Sequence, residues 1–186
     1  VATLNLFNFM YGALVMLYLT RSLHMRPATI GFILGIAAVG TLGASAVTGR
    51  ISRRIGVGPA FICGCFLFPA PLILVPAAGG PRWLVLTMVF AAELLSGVGL
   101  MLLDILAGVL TAGTVPPQMR GRVSGAFMVV NYGVRPVGTA AAGILGSTIG
   151  VHTTLWIGTV GALAGLAFLL PSPIRTMREV PEEAPA

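Results

Sequence analysis

Along the whole chain, runs of about 20 mostly apolar residues alternate with short stretches of arginine, proline and glycine, and that run length carries an α-helix across a hydrocarbon core of about 30 Å. Six such runs are predicted from the sequence. The first extends to Thr20 and ends in the loop Arg21 to Pro27. The second occupies Ala28 to Thr48 and ends in Gly49-Arg50-Ile51-Ser52-Arg53-Arg54. The third, Pro59 to Ala78, is closed by Gly79-Gly80-Pro81-Arg82. The fourth, Trp83 to Gly113, would exceed 40 Å or so as one helix, so it has to tilt, break or project into water. A loop from Thr114 to Gly121, holding Pro116-Pro117, leads to the fifth run, Arg122 to Ser147, and the sixth covers His152 to Leu170. The tail 171–186, with Pro171, Pro173, Pro181, Pro185, Glu179, Glu182 and Glu183, is polar and predicted to be disordered.

Composition agrees with a membrane setting. Of 186 residues, 56% are hydrophobic and 9% charged, against about 25% charged in soluble domains. A net charge of +6 would suggest nucleic acid in a soluble protein. Here the arginines sit singly or in short clusters between apolar runs and form no continuous basic face for a phosphate backbone. Cys63 and Cys65 are too close in sequence to clamp anything large, which excludes a disulfide framework and a four-ligand zinc site, and both are expected as small buried apolar residues. No cofactor or metal is expected. The chain starts Val1-Ala2-Thr3 with an apolar run under way at Leu4 and no cleavage site behind it, so it is expected to be a piece of a longer protein rather than to open with a signal peptide.

Six spans place both chain ends on one side. If that side is cytoplasmic, Arg50, Arg53, Arg54, Arg120, Arg122, Arg175 and Arg178 lie inside and Arg21, Arg26 and Arg82 outside, the bias of membrane proteins toward inner arginine. His24 and His152 then fall in outer loops. Ile55-Gly56-Val57 opens the third run and Ile149-Gly150-Val151 the sixth, with Gly-Thr pairs upstream at Gly40-Thr41 and Gly138-Thr139, which fits two inverted three-helix repeats. The glycine spacings Gly31/Gly35, Gly121/Gly125, Gly146/Gly150 and Gly161/Gly165 are expected to let helices approach closely.

Three charges are predicted at membrane depth, where each costs about 2.5 to 3.5 kcal/mol on insertion scales: Glu93, Asp104 and Arg135. Glu93 and Asp104 return to nearly one helix face after eleven residues. Counting about 1.5 Å per residue from the predicted inner ends brings Asp104 and Arg135 to within about 6 Å of one depth. An ion pair or shared aqueous cavity is therefore expected between them, with Glu93 nearer the outer side. A static pair that only neutralises charge and a pair that couples to substrate or protons are both open at this point. Pro136 is expected to bend its helix beside Arg135. Asn131, Tyr132 and Thr139 around Arg135, and Asn5, Asn8 and Tyr11 on the first span, form polar stripes that either line a cavity or hydrogen-bond between helices. Trp83 and Trp156 are expected as interface anchors.

Two stretches carry a resemblance. Gly49-Arg50-Ile51-Ser52-Arg53-Arg54-Ile55-Gly56 resembles the second copy of the signature loop of the major facilitator superfamily: Gly49, Ile51, Arg54 and Gly56 fit, and Arg53 stands where the pattern has its acidic residue. Pro117-Gln118-Met119-Arg120-Gly121-Arg122-Val123, followed by Tyr132-Gly133-Val134-Arg135-Pro136-Val137-Gly138, is similar to the branch that includes macrolide-efflux proteins and the enterobactin exporter. The resemblance covers nearly all the chain. It implies the C-terminal half, helices seven to twelve, of a transporter of about twelve spans in the cell membrane, without its N-terminal six-helix half. It further implies a drug or metabolite exporter driven by protons, with the residues from Gly49 to Gly56 and Arg120, Gly121 and Arg122 as conformational signature loops.

The expected fold is therefore all-α: a polytopic membrane protein whose residues 1–170 form a six-helix bundle, one half of that superfamily's fold, with three-plus-three inverted repeats. The expected function is proton-coupled export of drugs or small lipophilic metabolites by alternating access, with the lipid bilayer, protons, a small-molecule substrate and the other half as partners and no nucleic acid. A siderophore or metabolite exporter, or a non-transporting membrane assembly subunit, is the alternative. An integral membrane enzyme would need His, Asp, Cys or Ser in mutual reach, and the isolated histidines do not supply that.

Overall fold

The computed structural model describes residues 2–166, and among them every regular element is helical. The end of the sixth expected span and the tail from Pro171 lie outside the described residues. The helices are α1 Ala2–Arg21, α2 Pro27–Ile55, α3 Val57–Leu67, α4 Arg82–Thr114, α5 Pro117–Thr148 and α6 Val151–Gly165, with a short 3-10 helix, Ala70–Leu74, following α3. Residues 3–21, 27–55, 57–74 and 82–113 are long and apolar enough to cross a membrane. In α5, Asn131, Tyr132, Arg135 and Pro136 dilute the hydropathy, and the described part of α6 is 15 residues long.

Several boundaries differ from the expected ones for local reasons. The arginine-rich stretch Gly49 to Arg54 is not a loop but the last turns of α2, where Arg53 and Arg54 meet the negative end of the helix dipole. Only Gly56, at φ 93° and ψ 157°, stops the helix. Likewise α5 begins at Pro117 rather than Arg122, with proline in the first turn, where its missing N–H costs nothing. Arg120 folds back on the preceding helix: its Nε donates to the Val115 carbonyl at 3.0 Å and its Nη2 to the Ala112 carbonyl at 2.5 Å, groups that the end of α4 leaves without helical donors. The expected third span splits because Pro69 and Pro71 cannot donate, so α3 passes into a 3-10 turn. Helix α4 resolves its excess length by running unbroken over 33 residues, about 50 Å.

The packing repeats itself. Helix α1 runs parallel to α5, with Leu6 and Phe9 beside Gly138 and Leu14 beside Gly146, and antiparallel to α6, with Gly158 beside Phe7 and Tyr11 and Gly165 beside Thr3. Helix α4 runs parallel to α2, with Leu94 beside Gly40 and Gly97 beside Thr41, and antiparallel to α3, with Leu103 beside Gly64 and Gly99 beside Phe68. Exchanging the first three helices for the last three maps this pattern onto itself, as inverted repeats require. The two Ile-Gly-Val junctions are equivalent as well: Gly150, at φ 90° and ψ 152°, starts α6 in the conformation in which Gly56 starts α3. The Gly-Thr pairs are one helical turn out of register, since Gly40 stands 16 residues before Gly56 and Gly138 12 before Gly150. Both glycines nevertheless face the first helix of the opposite repeat.

Two apolar clusters hold the bundle. One, at the end carrying Arg21 and Arg82 (the far end), joins Tyr11, Leu14, Tyr18, Ile33, Val75, Val89, Ala142 and Leu155. The other, toward Arg54 and Arg120 (the near end), joins Leu4, Phe61, Cys65, Phe68, Leu102 and Leu106. Of the expected glycine contacts, Gly161 and Gly165 pack on Phe7 and Thr3, and Gly146 packs on Leu14. Gly31, Gly35, Gly121 and Gly125 face open space, and Gly150 is a junction instead. At Gly64, Gly99, Gly138 and Gly158 a Cβ would meet backbone atoms of the facing helix. Cys65 is buried as expected, whereas Cys63 is exposed.

Candidate functional site

Tyr11 and Glu93 form the centre of the first polar site. Asn5, Asn8 and Tyr11 follow one another at three-residue steps, each turning the side chain by about 60° around the axis, so the stripe fans across α1 instead of facing one neighbour. At its far end Tyr11 reaches α4, and its hydroxyl donates to Glu93 Oε1 at 3.2 Å. The bond borders a cleft of about 380 Å³ between α1, α2 and α4, mostly apolar, in which Asn8, Thr41, Glu93 and Ser96 supply the polar surface and Met16, Leu34 and Leu100 part of the apolar wall. Thr41 spends its hydroxyl proton on the Ala37 carbonyl one turn back, which leaves oxygen lone pairs for the cleft.

At its near end the stripe turns to α5. Asn5 Nδ2 donates to Asn131 Oδ1 at 2.6 Å. Four residues on along both helices, the Arg135 guanidinium carbon lies 4.5 Å from the centre of the Phe9 ring and 4.1 Å from that of Tyr132, within the range of cation–π attraction. Arg135 Nε is buried without a hydrogen-bond partner. Pro136 follows directly inside the continuous helix α5, so the Tyr132 carbonyl loses the N–H that a regular helix would offer it.

The expected ion pair between Asp104 and Arg135 does not form. Arg135 is engaged by Phe9 and Tyr132, and Asp104 is exposed on α4. The reason is lateral. Helix α1 packs on α5 and meets α4 through Tyr11, whereas α4 and α5 scarcely touch. Glu93 is level with Tyr11 and Arg135 with Phe9, so Arg135 lies within about 3 Å of the height of Glu93, and Asp104 sits about 16 Å farther down the α4 axis. Glu93 and Asp104 accordingly do not share one site. Thr139 is exposed and stands apart from the Asn5–Asn131 contact. Arg53, Arg54, Gly121 and Arg122 are also exposed, and a Cβ at Gly49 would point into open space.

At the far end His152 belongs to the first turn of α6 rather than to a loop. Its ring stacks on Tyr18 with centroids 5.7 Å apart, its Nε2 lies 2.8 Å from the Pro76 carbonyl, and Trp156 packs edge-on against it. Trp156 is thus a packing residue, while Trp83 is exposed in the first turn of α4. His24 lies in a hollow with Ser22, Gly79, Gly80 and Arg82. Sequence reasoning missed the Tyr11–Glu93 pairing and the aromatic seat of Arg135. A signal existed for the second: Phe9 follows Asn5 as Arg135 follows Asn131, four residues apart on each helix.

No solved structure gives a significant match to the chain. The family pattern of the Major Facilitator Superfamily matches residues 1–185. With six α-helices among the described residues in two equivalent triplets, the architecture of half that superfamily's fold, the chain belongs to the Major Facilitator Superfamily of membrane transporters.

Proposed function

We propose that this chain is the C-terminal half of a proton-coupled secondary exporter of small lipophilic compounds, and that Glu93 is its proton-carrying group. The observation behind the reading is the Tyr11–Glu93 hydrogen bond at the edge of a mostly apolar cleft between the first helices of the two triplets. A phenol can donate to a carboxylate and accept from a carboxylic acid. The pair can therefore keep one hydrogen bond in both protonation states, while proton exchange at Glu93 changes the charge of the cleft. Charge at membrane depth is rare and marks ion and substrate pathways. The apolar wall with Met16 and Leu100 suits solutes of varied shape.

In this reading the N-terminal six-helix half supplies the opposite wall, the two halves rock around the site, and arginine placement puts the C-terminus in the cytoplasm of a cell-membrane protein. Asp104 takes no part in coupling. The test is efflux of a fluorescent lipophilic cation and of a macrolide from cells carrying the full-length transporter, with and without an imposed pH gradient. Glu93→Gln is expected to remove gradient-driven efflux at normal membrane abundance, and Asp104→Asn to leave it within about threefold, a barrier change of less than 1 kcal/mol. Gradient-driven efflux that survives Glu93→Gln would overturn the assignment.

A further inference from the structure

We infer that Arg135 is the seat of a second subsite, which binds an anionic group, a carboxylate or a similar planar anion, on an otherwise apolar substrate. The inference rests on the transport reading above and names a substrate chemistry that this reading leaves open. Four observations converge on it. The guanidinium lies against two aromatic rings, Phe9 and Tyr132. Its Nε is buried without an acceptor. The neighbouring polar groups, Asn5 and Asn131, are joined to each other by one hydrogen bond at 2.6 Å and bring no charge. The intramembrane carboxylates Glu93 and Asp104 are on α4, which scarcely touches α5, and Glu93 is bonded to Tyr11.

Arginine has five N–H donors, no acceptor and a charge that it cannot shed in a protein. The aromatic rings attract the charge but offer no lone pair to the N–H groups, so what the site lacks is an acceptor with negative charge. A carboxylate matches that edge bidentately, and the pairing is stronger away from water. The flanking rings offer an apolar body attached to the anion a surface to lie on. The position of the cation is fixed by two helices: Asn5–Asn131 pins α1 to α5 one turn away, and Pro136 frees the Tyr132 carbonyl directly beside the site.

The experiment uses the purified full-length transporter in lipid nanodiscs and compares naphthalene-2-carboxylate with its uncharged isostere naphthalene-2-carboxamide, by calorimetry and by thermal melting. The expected result is saturable binding of the carboxylate, at least about tenfold tighter than the amide. That preference is expected to be lost in Arg135→Gln and weakened in Arg135→Lys, which keeps the charge and loses the fork. Tyr132→Leu, which leaves the cation in place, guards against misfolding of the Arg135 variants and is expected to weaken both ligands while keeping the preference. Equal binding of the two compounds, no carboxylate preference up to millimolar concentration, or a preference that survives Arg135→Gln overturns the inference. Each of the first two is also the result expected if an acidic side chain from the other half already neutralises Arg135. Binding needs no proton gradient, so failure here leaves the role of Glu93 to its own test.

Discussion

Two polar residues three helical positions apart can serve different neighbours, and α1 shows it. Asn8 lines the cleft while Tyr11 reaches the α4 carboxylate, and Asn5, one step earlier, is bonded to α5. Removing the Tyr11 hydroxyl is therefore expected to act on Glu93 alone: Tyr11→Phe should slow gradient-driven efflux by about ten- to a hundredfold without lowering membrane abundance, because a net hydrogen bond to a charged group contributes about 1.5 to 3 kcal/mol. The separation of Asp104 from Arg135 gives a second expectation. A double-mutant cycle of Asp104→Asn with Arg135→Gln, read as the melting of the purified protein, should be additive to within about 0.5 kcal/mol, whereas a coupling above 1 kcal/mol or so would mean that the two charges meet.

Helix pairs in this bundle are set by where glycine lets backbones touch. Between lipid-exposed helices no hydrophobic gain drives association, so close approach and its dispersion contacts carry more of the stability. Gly99→Leu would drive its side chain into the backbone of Leu67 and Phe68, and Gly158→Leu into that of Phe7 and Tyr11. Each is expected to cost at least about 1 to 3 kcal/mol and to lower both the melting temperature and the yield from membranes. Gly31→Ala and Gly125→Ala meet nothing within 4 Å and are expected to be neutral or to stabilise by up to about 1 kcal/mol through helix propensity. The four-residue glycine spacing in the sequence does not distinguish these sites from one another. Which glycines are contacts depends on the azimuth of each helix, and α2 presents its residues Gly31 and Gly35 away from α4 while presenting Gly40 toward it.

Across the whole molecule, the equivalence of the two triplets makes a paired prediction. Gly56 and Gly150 hold the same backbone conformation, φ 93° and 90°, outside the reach of residues with a side chain. Gly56→Ala and Gly150→Ala should each destabilise by roughly 1 to 3 kcal/mol. Similar losses of melting temperature at the two sites would express the repeat, and a loss at one alone would mean that only that junction is strained. The equivalence also explains why the polar sites flank α1. As the first helix of its triplet it contacts α5 and α6 and also reaches α4 through Tyr11, so Asn5 and Tyr11 both find their partners in the opposite repeat.

The helical class, the existence of the six helices found among the described residues and the repeated Ile-Gly-Val junction were legible in the sequence because each is written locally, in apolar run length and in single glycines and prolines. Helix ends were legible only in part: Arg50 to Arg54 read as a loop by charge, yet nothing in those residues forbids helix until Gly56. The members of the candidate sites were legible too, since charged and amide side chains at membrane depth are conspicuous wherever they pack. Their partners were not. Depth along an axis follows from counting residues, but the side of the helix that faces a neighbour, and which neighbour it is, follows from the packing of all six helices together. Counting put Asp104 near Arg135; tertiary structure packed α5 on α1 instead of α4, gave Glu93 to Tyr11 and left Arg135 against two rings.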